Sequence, residues 1–109
     1  MYDIFSLPEI KFPDGFLWGS STAGHQIEGN NIHSQWWANE QNGKHETPSG
    51  LACNHYDLYK DDINLIKSLG HKAFRLSIEW SRIEPVEGQF NQQALDHYID
   101  VLSTLKEQG

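Results

Sequence analysis

The stretch His71–Pro85, HKAFRLSIEWSRIEP, limits the possible folds more than any other part of the chain. From Ala73 to Trp80 it alternates, with Phe74, Leu76, Ile78 and Trp80 on one face and Arg75, Ser77 and Glu79 on the other. That is the period-two pattern of a strand. The strand lies between two helical patterns, and strands so placed belong to parallel sheets covered on both faces. Arg75 is then a permanent charge under cover, which is costly unless an anion meets it. Nothing within the stretch supplies that anion, so the rest of the chain has to be searched for it.

Met1 to Pro13 reads as an irregular lead-in, broken at Pro8 and Pro13, and Phe12-Pro13-Asp14-Gly15 has turn chemistry. Phe16 to Thr22 is a short strand led by large apolar residues. Gly19 to Gly24 then leaves so little bulk that either a ligand or a neighbouring backbone must lie against it. Gly24 to Gly50 reads as a polar loop with Trp36 and Trp37 in its middle. Its 27 residues are too many for an idle connection. A helix is predicted from about His55 to Leu69, capped at Cys53 or Asn54. It has Tyr56, Tyr59, Ile63 and Ile66 in one stripe, widened by Leu58, Leu65 and Leu69. Gly70 stops it in a left-handed conformation. After the strand, Asn91 caps a final helix over about Gln92 to Lys106, with Leu95, Tyr98, Ile99, Leu102 and Leu105 facing inward.

The order strand, long loop, helix, strand, helix gives two βα units and an α/β fold with a parallel sheet. Two strands do not finish such a sheet, because both edges stay open. The chain is therefore either part of a larger barrel or assembles with other chains. With 109 residues it suits one domain. A net charge of −7 leaves no electrostatic footprint for nucleic acid or an anionic membrane. The lone Cys53 excludes an internal disulfide and suits a reducing compartment. The start carries no basic region followed by an apolar run, and no stretch approaches a membrane span. The expectation is a soluble, cytoplasmic protein.

Paired carboxylates would serve acid–base or glycoside chemistry, and Glu28, Glu40, Glu79, Glu84 and Glu87 are the candidates. Glu79 gains from its place near a strand end, whereas Glu40 sits in the long loop with nothing to orient it. The six histidines (25, 33, 45, 55, 71 and 97) are scattered, without the i, i+3 or i, i+4 spacing of a helical metal site, so no metal is expected. Ser20, Ser21 and Thr22 lack a nucleophile elbow. The glycine-rich element matches neither phosphate-binding pattern, and no cofactor is expected. Trp36 and Trp37 have the flat apolar rings on which sugar faces stack.

Two stretches together carry a resemblance. Residues 12–29, FPDGFLWGSSTAGHQIEG, closely resemble the N-terminal signature of family 1 glycoside hydrolases, the β-glucosidase family. Residues 55–62, HYDLYKDD, and 73–85, AFRLSIEWSRIEP, resemble that family's next two landmarks. The likeness runs from about Phe12 to the C-terminus. It divides residues 1–109 into a lead-in (1–11) and a barrel segment (12–109), the N-terminal part of a single domain. The loop with Trp36 and Trp37 looks more like members acting on unmodified β-glycosides than like the phospho-sugar branch.

The resemblance implies the first two βα units of a (β/α)₈ barrel and retaining hydrolysis of terminal β-linked sugars, a β-glucoside or related saccharide. Gln26 corresponds to the glutamine that hydrogen-bonds the sugar in the cleaved position. Arg75 corresponds to the arginine beside the nucleophilic carboxylate, which it would keep ionised and oriented. Trp36 and Trp37 are further substrate-binding candidates, and Glu28, Trp80 and Arg82 match positions read as structural. His25 is a variant within the motif. The family's acid/base and nucleophile segments, of Thr-x-Asn-Glu-Pro and Thr-Glu-Asn-Gly type, do not occur. Ala38-Asn39-Glu40-Gln41 lacks the proline, and Val86-Glu87-Gly88 is not the nucleophile motif. A whole barrel takes about 250 residues. The chain alone is therefore expected to be inactive. Two other roles are a sugar-binding piece, or a structural piece that pairs with the remaining barrel segment or with itself. In the isolated chain Arg75 is expected to meet water or a stand-in, Glu28 or Glu79.

Overall fold

The structure, a computed structural model, describes residues 4–45 and 47–109. Met1, Tyr2 and Asp3 of the expected lead-in, and Glu46 of the expected loop, lie outside the described residues. After a short 3₁₀ turn at Ile4–Ser6, the elements are β1 (Gly19–Ser21), α1 (Gly24–Ile27), α2 (Gln35–Gln41), α3 (His55–Ser68), β2 (Ala73–Arg75), α4 (Trp80–Ile83) and α5 (Gln92–Gln108). Among the described residues the sheet has two parallel strands in the register Gly19↔Ala73, Ser20↔Phe74 and Ser21↔Arg75.

Gly19 explains how closely the strands approach. A Cβ on it would run into the Ala73 carbonyl. At Gly19 the object beside the small-residue run is thus a backbone, one of the two options the sequence leaves open, whereas Gly24 at its other end faces the Glu79 side chain. At the entry to the sheet the Trp18 carbonyl accepts from the Lys72 and Ala73 amides at 2.8 and 3.2 Å, and at its exit Thr22 N–H donates to the Arg75 carbonyl at 3.0 Å. Beyond that bond β1 turns into α1, and residues 76–79 have no neighbouring strand among the described residues. The predicted strand over Ala73–Trp80 is therefore corrected to Ala73–Arg75. Its last predicted residue begins α4, which Glu79 caps by accepting from the Ser81 amide.

The core sits where α3 and α5 meet behind the strands. One cluster joins Tyr59, Ile63 and Val101 with Leu76 and Leu105 against it. The second joins Ile83, Ala94 and Tyr98 with Tyr56 and Leu95. Both long helices fall close to their predicted bounds. Asn91 caps α5 by accepting from the Ala94 amide, and Gly70 is left-handed at φ 76°. Asn54 occupies the cap position of α3 without a side-chain bond. Part of each predicted stripe is in water: Leu58 and Leu65 on α3, Leu69 just past its end, and Ile99 and Leu102 on α5, are exposed. Ala94 and Val101 are buried instead.

The chain spreads over 54 × 38 × 21 Å with a radius of gyration of 17.9 Å, against about 13 Å for a compact chain of this length. Its accessible surface is 8471 Å², where a compact monomer of 12.5 kDa would expose roughly 6,200 Å². Much of the surplus is apolar, including Phe12, Phe16, Trp18, Ile78, Trp80 and Phe90. No helix among the described residues is long and apolar enough to cross a membrane.

Candidate active-site segment

Parallel strands send their functional residues out at their C-terminal ends. Gln26 lies there, in the short α1 that follows β1, and it is exposed. Arg75 is the last residue of β2, paired in register with Ser21, and it too is exposed. Among the described residues Arg75 has no ion pair and no side-chain hydrogen bond. The expected stand-ins are engaged elsewhere. Glu28 holds Arg82, and Glu79 holds Asn31 and Ser81. Of the two outcomes expected for Arg75, exposure to water is the one found. The cover inferred for its strand face is absent because, among the described residues, two strands alone stand side by side.

Behind the two exposed residues lies a buried polar network. The Glu28 side chain is 4% exposed and accepts from Arg82 Nε at 2.7 Å. Tyr98 Oη donates to the same carboxylate, 2.9 Å from Oε1 and 3.1 Å from Oε2. Burial pushes the Glu28 carboxyl above its usual value of 4.5, against the opposing pull of Tyr98 and Arg82. Burial likewise pushes the Tyr98 hydroxyl far up, reinforced by the neighbouring Glu28 charge. Arg82 Nη2 donates to the Gly29 carbonyl, and its guanidinium lies 4.2 Å from the centroid of the Tyr56 ring. Asn31, 1% exposed, donates to Glu79 Oε2 at 2.8 Å, and Ser81 Oγ donates to Glu79 Oε1 at 2.8 Å. Gly29 allows the loop to close this way. Its φ is +85°, and a Cβ there would meet the Leu51 carbonyl.

The expected polar loop is also more ordered than its composition suggests. Trp36 and Trp37 lie on α2, not in a loop, because Ser34 caps that helix by accepting from the Trp37 amide at 3.0 Å. Glu40, read as unoriented, is in fact fixed. It meets His25 Nε2 at 2.8 Å through Oε1 and accepts from the Ser49 amide and hydroxyl at 3.0 and 2.9 Å through Oε2. These hydrogen bonds, that from His25 foremost, hold its carboxyl below the usual value. His25 Nδ1 meets Ser34 Oγ at 3.1 Å, so the variant residue in the motif anchors α2 to α1. Trp36 is 56% exposed, its ring stacked near His25 (6.3 Å, 27°) and tilted against His45 (5.0 Å, 38°), whereas Trp37 is partly covered.

The structure thus brings Gln26 and Arg75 to one end of the strand pair, with Trp36 beside His25, the neighbour of Gln26. Sequence reasoning missed the joining residues Tyr98, Asn31 and Ser34. Glu28 and Arg82 were each singled out, but a separation of 54 positions hid their pairing. Trp80, also read as structural, is exposed and donates to Glu84 Oε2 at 2.8 Å. Among the described residues no group of three or more His, Cys, Asp or Glu is placed to hold a metal ion.

Comparison with known proteins gives one consistent result. The family model described as glycosyl hydrolase family 1 matches residues 8–109. Beta-glucosidase A from Thermotoga maritima is 44% identical over 108 residues, covering 91% of this chain and 24% of the relative. A 6-phospho-beta-glucosidase from Bacillus subtilis is 38% identical over 93% of this chain and 24% of its own length. The solved beta-glycosidase from Pyrococcus horikoshii superposes with a TM-score of 0.85 at 52% identity, over 91% of this chain and 23% of that one. The chain spans about a quarter of the length of the relatives it matches. The fold is accordingly that of two βα units from the N-terminal portion of a (β/α)₈ barrel.

Proposed function

Because the chain belongs to glycosyl hydrolase family 1, we propose that it supplies the sugar-gripping and nucleophile-supporting part of a retaining β-glycosidase acting on terminal β-linked sugars. Gln26 hydrogen-bonds hydroxyls of the sugar in the cleaved position, its amide both donating and accepting. Arg75 meets the nucleophilic carboxylate, keeping it ionised and aimed at the anomeric carbon. A second carboxyl group protonates the leaving oxygen and then activates the water that releases the sugar. Both carboxylates come from sequence outside these 109 residues. Trp36 offers an open ring for an apolar sugar face. The substrate is an unmodified β-glucoside rather than a phosphorylated one, no cofactor takes part, and the setting is the cytoplasm.

The observation that carries this reading is the pairing of two exposed polar groups, Gln26 and Arg75, at the C-terminal end of a parallel strand pair. Arg75 has no anion among the described residues, as suits a charge whose partner stands on another strand. Two assays test it. The pure 109-residue chain should not release the aryl group from an aryl β-glucoside, and turnover by it would refute the assignment. In a complete barrel carrying this segment, Arg75→Ala should lower kcat by about two orders of magnitude, as loss of a positioned electrostatic partner does.

A second reading draws on the surplus surface. A chain that exposes roughly 2,300 Å² more than a compact monomer needs cover, so this one could act as a barrel-complementing or sugar-binding piece without catalysis. Cellobiose titration followed by tryptophan fluorescence, with Trp36→Phe as control, separates a sugar-binding piece from an inert one.

A further inference from the structure

Gln26 and Arg75 belong to different βα units, joined by a parallel pair three residues long. So short a two-stranded pair is a weak brace. Side chains tie the segment after β1 to the segment after β2 directly, Arg82 to Glu28 and Asn31 to Glu79, and one hydroxyl group from outside both adds a tie to the backbone itself. Tyr98 Oη donates to the Glu28 carboxylate and accepts from the Glu79 backbone N–H at 3.1 Å. Glu28 lies two residues past Gln26, and Glu79 four residues past Arg75. The tyrosine itself comes from a third element, α5. Its single proton and its lone pairs are matched to a carboxylate on one side and an amide on the other.

Packing alone does not call for this hydroxyl. The ring sits among Ile83 and Ala94 and meets the Tyr56 ring edge to face at 6.2 Å. A phenylalanine would keep all of those contacts and would avoid burying an oxygen. What it could not do is bracket the two loops. We propose that Tyr98 is a positioning residue whose hydroxyl, through Glu28 and the Glu79 N–H, fixes the spacing between Gln26 and Arg75. The functional meaning of that spacing rests on the roles given to those two residues above; the bracket itself can be tested apart from them.

The test uses the full chain with nitroxide labels at positions 26 and 75 (Gln26→Cys and Arg75→Cys, with Cys53→Ser). The readout is the distribution of dipolar distances between the labels. Tyr98→Phe should broaden it. Tyr59→Phe removes a hydroxyl that donates to Asp100 between α3 and α5, and it should leave the distribution unchanged. In unlabelled protein the Glu79 amide should exchange its hydrogen about fivefold faster in Tyr98→Phe, the factor expected for one lost hydrogen bond. An unchanged distribution in Tyr98→Phe, or equal broadening in both variants, overturns the proposal. So does a Glu79 amide that exchanges at the free-peptide rate in the unaltered chain. If Tyr98→Phe abolishes cooperative unfolding, the hydroxyl is a folding determinant rather than a positioning one, and the proposal fails. Failure of the active-site reading looks different: a complete barrel would then keep its activity as Arg75→Ala while the bracket results stand.

Discussion

Replacing Glu28 by Ala separates an arginine that is paired inside the fold, Arg82, from one that faces water, Arg75. The change leaves the Arg82 side chain, 16% exposed, with the Gly29 carbonyl and the Tyr56 ring but no anion. It also strips Tyr98 Oη of its acceptor. Breaking a buried ion pair by removing one partner costs about 3–5 kcal/mol, because the remaining charge stays under cover. The residual exposure of Arg82 places this case near the low end, about 3 kcal/mol. Urea unfolding reads it directly. With a slope of about 2 kcal/mol per molar for a small domain, the midpoint should fall by about 1.5 M at unchanged slope. Arg75→Ala, by contrast, removes an exposed side chain with no ion pair among the described residues and should move stability by less than about 0.5 kcal/mol. Replacing both members of the buried pair, as Glu28→Gln with Arg82→Met, should recover much of the loss, because no charge is then left under cover without its partner. A cost below about 1 kcal/mol for Glu28→Ala, or an equal cost for Arg75→Ala, would refute the assignment of Arg82 as the structural arginine.

Two further outcomes follow from the same geometry. The carboxyls of Glu28 and Glu40 are shifted in opposite directions, so their substitutions should respond oppositely to acid. Glu28, raised by burial, is protonated more readily in the folded chain, so its contribution falls as pH rises from 4.5 through the raised value. The stability advantage of the unaltered chain over Glu28→Gln should therefore grow as pH drops through that window. Glu40, lowered chiefly by its bond to His25, contributes above 4.5 and loses that contribution on acidification, so the advantage over Glu40→Gln should shrink. Urea midpoints measured across pH check both, and parallel trends would count against the two environments. Gly19→Ala should weaken the strand pair, because the new methyl meets the Ala73 backbone rather than a side chain that can move. A cost of about 1–3 kcal/mol is expected from forced overpacking, and faster exchange at the Ala73 amide would locate it.

Much of the frame could be read from local rules. The bounds of α3 and α5, the Asn91 cap, the left-handed Gly70 and the parallel βα order all follow from periodicity and turn chemistry within a few residues. The motif-bearing stretches were legible as well, and with them the family. Less legible was anything that depends on a neighbour distant in the chain. The strand predicted to Trp80 stops at Arg75 because no third strand among the described residues continues the ladder, and alternation cannot reveal a missing partner. The loop around Trp36 and Trp37 contains a helix because Ser34 caps it, and His25 and Ser49 orient Glu40 from outside.

The arginines mark that division most plainly. Sequence alone determined that Arg75 lies on a strand and carries a permanent charge, because alternation and side-chain chemistry are local properties. It did not reveal that Glu28 is committed to Arg82. That pairing spans 54 residues and exists only where the loop after β1 folds against α4 and α5. Tertiary structure decided which charge is satisfied inside the chain and which is left facing water. The reason is physical: burial and partnership are set by what packs alongside, and that is written in the positions of two strands and a distant tyrosine rather than in any one stretch.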